Sequence, residues 1–120
     1  GHPATRAFQS IRIEVNAELE ILPGAIDAAI DLLEAGGRCA ALAYHSGEDR
    51  IVKDRFRHAV TGGCTCPPGL PCGCGAVAKV RLVTRGAQKP SAAEQPDNPR
   101  AASARLRAVE RLAPPERTAA

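Results

Sequence analysis

The stretch "RCAALAYHS" (residues 38–46) decides the fold, because it is an almost unbroken run of small apolar residues between a glycine pair, Gly36-Gly37, and the polar cluster "SGED" (46–49). Short apolar runs bracketed by breakers form strands buried on both faces, of the kind found inside a parallel sheet covered by helices. The flanking residues agree with that reading. Upstream, Pro23 suits the first turn of a helix that sets Ile26, Ile30 and Leu33 on one side and Asp27, Asp31 and Glu34 on the other, until the glycine pair stops it. Downstream, "SGED" nearly has the form of a capping box, the Ser46 hydroxyl and the Asp49 carboxylate satisfying reciprocal backbone donors. A helix is therefore predicted over 47–60, with Val52, Phe56, Ala59 and Val60 as its buried side and Lys53, Arg55 and Arg57 making it basic elsewhere.

Further out, Phe8, Ile11, Val15 and Leu19 recur at spacings of three and four and predict a helix over 5–19. Arg6, Gln9, Arg12 and Asn16 form a polar strip beside its apolar one, for which a solvated face is the plain explanation. "VAKVRLVTR" (77–85) alternates as a strand does, with Val80 and Leu82 on one face and Lys79, Arg81 and Val83 on the other. Gln88 to Arg100 reads as a proline-containing loop. In "SARLRAVERL" (103–112), Ala104, Leu106 and Ala108 alternate with Ser103, Arg105 and Arg107, which favours a strand over a helix. Residues 113–120 read as a flexible tail. The order helix, helix, buried strand, helix, strand, strand belongs to the closing half of an open α/β sheet.

The bulk numbers fit one modest domain: 120 residues, 44% apolar, with two Phe, one Tyr and no Trp, so the core must be packed from small aliphatic side chains. The chain has no Met and begins Gly-His-Pro, from which a piece of a longer chain is expected. No basic stretch precedes an apolar run as in a signal peptide, and no segment nears the length of a membrane span, so a cytoplasmic protein is expected. The net charge of +3 is uneven: residues 1–78 carry seven Lys/Arg against nine Asp/Glu, and residues 79–120 carry nine against four. An Arg-rich end is the electrostatic footprint of a phosphate-rich partner, although scattered surface Arg explains it as well.

Two clusters can carry chemistry. "YHSGEDR" (44–50) sits on a strand-to-helix turn at the carboxyl end of a strand, where open α/β sheets bind ligands, so His45, Ser46, Asp49 and Arg50 are placed to face a cleft. The plain alternative is that Ser46 and Asp49 cap the helix and Arg50 pairs with an acid. A Ser-His-Asp hydrolase is disfavoured, since His45 and Ser46 are adjacent and the G-x-S-x-G elbow is missing. The second cluster is the loop "GCTCPPGLPCGCG" (63–75), in which two Cys-x-Cys pairs flank a Pro-Pro-Gly turn. Cys64, Cys66, Cys72 and Cys74 fit a closed structural zinc site of four thiolates; reduced thiols on a mobile loop and disulfides are the alternatives, the last disfavoured inside a cell. Cys39, in the buried run, reads as a packed thiol.

Together "HPATRAFQSIRIEVNAELE" (2–20), "GGRCAALAYHSGEDRIVK" (36–53), "CTCPPGLPCGCG" (64–75) and "NPRAASARLRAVERL" (98–112) resemble the carboxyl-terminal part of the MraW/RsmH family, bacterial enzymes that methylate N4 of a cytosine in 16S ribosomal RNA with S-adenosylmethionine. The resemblance implies the C-terminal half of a class I, Rossmann-like methyltransferase sheet. Residues 1–22 would end an inserted helical domain, and 23–112 would continue the methyltransferase domain, with 38–45 its fifth strand and 77–85 and 103–112 its closing antiparallel pair. The partner implied is 16S rRNA in the small ribosomal subunit rather than DNA or a membrane. Arg6, Arg12, Asn16, Arg50 and Lys53 would meet that RNA, and His45, Ser46 and Asp49 would line the target-base end of the cleft, His45 accepting the departing proton.

The family's glycine-rich cofactor loop, its ribose-holding acid and its "DLGVSS"-like segment do not occur in the 120 residues, so the chain alone is expected neither to bind S-adenosylmethionine well nor to methylate. Tyr44 stands where Phe is common and Gly47 where Leu is common. Family members elsewhere often have a different loop in place of the cysteines, so the resemblance argues against an essential catalytic metal. The competing function is a non-enzymatic, zinc-clasped RNA-binding module.

Overall fold

Helix α1 spans Glu18–Asp31 and carries Pro23 in its interior, so the sequence-based start at Pro23 is corrected. Proline costs the helix one backbone hydrogen bond, and here the apolar side outweighs it: Ile26 and Ile30 are buried in the core and Leu22 packs against it. The computed structural model describes residues 4–7, 18–67, 69 and 73–114. Residues 4–7 are helical. The rest of the helix expected over 5–19, up to the start of α1, lies outside the described residues, and with it Arg12 and Asn16.

Strand β1 (Arg38–Ala43) follows the Gly36-Gly37 turn, and helix α2 (Ser46–Thr61) follows β1 after two residues. After the cysteine loop come β2 (Val80–Leu82), a short helix α3 (Glu94–Asp97), a 3-10 turn (Pro99–Ser103) and β3 (Arg105–Arg111). The segment expected to be loop thus holds two short helical turns, the second with Pro99 at its start, where proline's missing N–H costs nothing.

The three strands form one sheet in the order β1-β3-β2, and both pairings are antiparallel. The antiparallel pair expected from 77–85 and 103–112 is present but shorter, as Val80–Leu82 paired with Arg105–Arg111. The parallel surroundings expected for 38–46 are not, among the described residues, and neither is burial on both faces: Arg38, Ala40 and Leu42 are exposed while Cys39 and Ala41 are half-buried. The physical reason is that α1 and α2 cover one face only.

On the covered face Val80 and Val109 join Ile26, Ile30, Val52, Phe56 and Ala59 in the core. The register places Arg38 and Arg81 opposite Glu110 on the other face, and both guanidinium groups bond its carboxylate, at 3.2 and 2.8 Å. Farther along that face Leu42 lies opposite Leu106, where residues 88–104 fold over the sheet and bury Ala101 and Ala104. The helices are joined across their exposed rim by Arg55, which donates to both Asp27 oxygens at 2.9 and 2.7 Å.

Candidate functional site at the carboxyl end of the first strand

The turn Tyr44-His45 leads from β1 into α2, and it is His45, not Ser46, that caps the helix. Its backbone is extended (φ −142°, ψ 161°) and its Nδ1 accepts the Glu48 N–H at 3.3 Å. With Nδ1 accepting, the ring hydrogen sits on Nε2, which lies 2.7 Å from Glu48 Oε1. Glu48 Oε2 faces the Tyr44 N–H at 3.5 Å. This is a variant of the capping box, one residue upstream of the expected one: an imidazole replaces the hydroxyl, and the glutamate reaches back to the residue before the cap rather than to the cap's own N–H. Ser46, now the first helical residue, is exposed.

Asp49 does not cap either. Its two oxygens accept from Arg107 Nε and Nη2 at 2.8 and 3.0 Å, a two-pronged pair that ties the first turn of α2 to β3. The Arg107 hydrogen bonds hold the Asp49 carboxyl below the usual carboxylate range against the opposing effect of burial, and raise Arg107 in return. A carboxylate depressed in the folded state contributes stability above its unfolded pKa of about 3.9, and loses it as pH falls through the folded value. Asp49→Asn is therefore expected to lower Tm at neutral pH, with the mutant and wild-type curves converging below about pH 4. Thermal unfolding followed across that range checks this; parallel curves down to the lowest pH would show that the pair contributes nothing.

Glu48, which the sequence reading passed over, lines a cavity of about 300 Å³ at the end of β1 together with a second carboxylate, Glu18, and with Leu19, Leu22, Ala41 and Val52. The signal for it was present as the His-x-x-Glu spacing of residues 45–48. A second cavity, about 320 Å³, lies beside Leu42 and the half-exposed Tyr44, walled by Pro90, Asn98 and Leu106. Gly47 is held close: a Cβ there would meet the His45 ring at 3.3 Å. The turn after β1 thus has one glycine, hemmed in, and no open backbone cradle. That turn therefore offers no glycine-rich loop of the kind that holds a nucleotide cofactor.

Of the residues expected to meet RNA, Arg6 is exposed on the segment 4–7, while Arg50 and Lys53 are exposed on α2, where Arg57 extends their strip by one turn. No ion pair links Arg50 to an acid among the described residues, so the pairing considered for it is absent there. Of the cysteines, Cys64, Cys66 and Cys74 bring their sulfurs within 4.8 Å of one another, and Cys72 lies outside the described residues. Cys39 is half-buried on β1, where burial pushes its thiol pKa up, in keeping with a packing role.

The family model for the MraW methylase family matches residues 1–112. Curated relatives called "Ribosomal RNA small subunit methyltransferase H" are similar throughout. The relative from Anaeromyxobacter sp. (strain K) is 56% identical over 112 residues, covering 92% of this chain and 36% of that protein. Those from Myxococcus xanthus and Thermomicrobium roseum are 54% and 52% identical, covering 92% and 93% of this chain and 36% and 34% of theirs. The chain spans about a third of the length of the curated relatives it matches.

Proposed function

The chain belongs to the MraW methylase family, and from that premise we propose that it supplies the substrate-facing end of a methyltransferase that moves a methyl group from S-adenosylmethionine to N4 of a cytosine in 16S ribosomal RNA, in the cytoplasm. The observation that carries the reading is the family match across residues 1–112. The sheet supports it: β3 inserted antiparallel between β1 and β2 suits the closing edge of a class I methyltransferase sheet. In this reading the glycine-rich loop that holds the cofactor belongs to the part of the methyltransferase outside these residues, since the chain spans about a third of the length of its curated relatives.

The chemistry asked of this chain is modest. An exocyclic amine whose lone pair is delocalised into the ring needs orientation above all, and a group to take up its proton. Tyr44 presents a half-exposed aromatic ring beside a cavity, on which an extruded base can stack. Glu48 offers a carboxylate at the neighbouring cavity, with its orientation held by His45. His45 is thereby a positioning residue in this reading, held between the Glu48 N–H and the Glu48 carboxylate. Arg50, Lys53 and Arg57 are the residues that meet phosphate.

The test is a chimera in which residues 1–112 replace the matched segment of the Myxococcus xanthus relative. Radiolabelled methyl from S-adenosylmethionine is expected in small-subunit rRNA, on N4 of a cytosine by nucleoside analysis. A folded chimera that leaves the RNA unlabelled, beside an active parent, would overturn the proposal. In the same chimera, replacing Arg50, Lys53 and Arg57 together by Glu is expected to weaken RNA binding at low salt. It should also flatten the slope of log K against log[salt], by roughly 0.7 for each phosphate that the protein no longer neutralises. An unchanged slope would remove that strip from the interface.

A further inference from the structure

We propose that Cys64, Cys66 and Cys74 supply three of the four ligands of a structural zinc ion that clasps the loop between α2 and β2. Helix α2 ends at Gly62, in the left-handed conformation (φ 69°), with its N–H donating to the His58 carbonyl. A Cβ at Gly62 would collide with the Val77 carbonyl, so the backbone that leaves the helix and the backbone that returns to β2 touch at this point. The return is held by the Lys79 N–H on the Ala59 carbonyl at 2.8 Å. The loop from 63 to 76 therefore departs from and comes back to one place. Cys64 and Cys66 lie on its outgoing limb and Cys74 on its incoming limb, with the three sulfurs within 4.8 Å of one another.

Zinc–thiolate bonds of about 2.3 Å in a tetrahedron set sulfurs ~3.8 Å apart, which three sulfurs gathered this closely can meet with little movement. Thiolate donors select soft ions, zinc foremost among those without redox chemistry. Zinc stabilises such a loop because binding joins two limbs that the unfolded chain leaves independent. The site is not catalytic: it follows the last turn of α2, whose 16 residues put it about 24 Å along the helix from the turn at His45 and Glu48. The proposal stands or falls apart from the methyltransferase reading.

Metal analysis of protein purified under reducing conditions with zinc present is expected to give one zinc per chain. Chelation should lower Tm by about 5 °C or more, and replacement by Co²⁺ should produce a thiolate-to-metal charge-transfer band. Cys64→Ser or Cys74→Ser should abolish that band, while Cys39→Ser leaves it intact. Well under one zinc per chain, with the cluster thiols freely titratable in the folded protein, would overturn the proposal. So would iron or copper in place of zinc, or a band unaltered by Cys74→Ser in a folded variant. The wild-type metal content and cobalt spectrum decide the question even if the variants do not fold.

Discussion

Replacing Phe56 by Ala is expected to remove about 3–5 kcal/mol of stability, the largest loss of any single substitution in the described core. Phe56 is 2% exposed and packs among Ile26, Ile30, Val52, Ala59, Val80 and Val109, so it joins both helices to the covered face of the sheet. The chain has no Trp and only one other Phe. Its neighbours are short and mostly β-branched, and they cannot extend into the space a benzyl group leaves. Domains of this size are stable by only about 5–15 kcal/mol, so the variant should melt more than about 10 °C lower or be unfolded at physiological temperature. Phe56→Leu, which keeps most of the volume, should cost less than about 1.5 kcal/mol. Chemical denaturation followed by circular dichroism gives both numbers. A loss below about 1 kcal/mol for Phe56→Ala would mean that the core is not built around this ring.

How much of this was legible in the sequence differs from element to element, for physical reasons. Helix α2 was found to within a residue at each end, because Val52, Phe56 and Ala59 repeat on one face while the other is charged. The β2–β3 pair was legible because apolar and basic residues alternate there. For β1 the same test failed: Cys39, Ala40, Ala41 and Leu42 are all apolar, so composition could not reveal that alternate side chains face outward. Pro23 misled because a local breaker was weighed without the packing of Ile26 and Ile30 that overrides it. The two-pronged pairs Asp27–Arg55 and Asp49–Arg107 join residues 28 and 58 positions apart. No local pattern announces such partners; Asp49 was read as a helix cap because its tertiary partner was out of sight.

The capping histidine turns that blind spot into an experiment. If His45 serves by capping α2 and holding Glu48, then in the active chimera His45→Ala should reduce turnover about 100-fold, the scale on which a catalytic group displaced by an ångström loses effect. The substitution also takes away an N-cap, at a cost of about 1 kcal/mol. Asn is among the best N-cap residues, and its side-chain oxygen can accept the Glu48 N–H that His45 Nδ1 now accepts, at 3.3 Å. His45→Asn should therefore recover the lost stability and most of the lost turnover, whereas Glu48→Gln, which keeps the shape and removes the charge, should stay slow with KM for RNA little changed. A proton acceptor at His45 makes the opposite demand: Asn restores Tm but leaves turnover as low as Ala does, since an amide takes up no proton at neutral pH. Comparing Tm and kcat across these three variants thus separates a ring that positions a carboxylate from a ring that does the proton transfer itself.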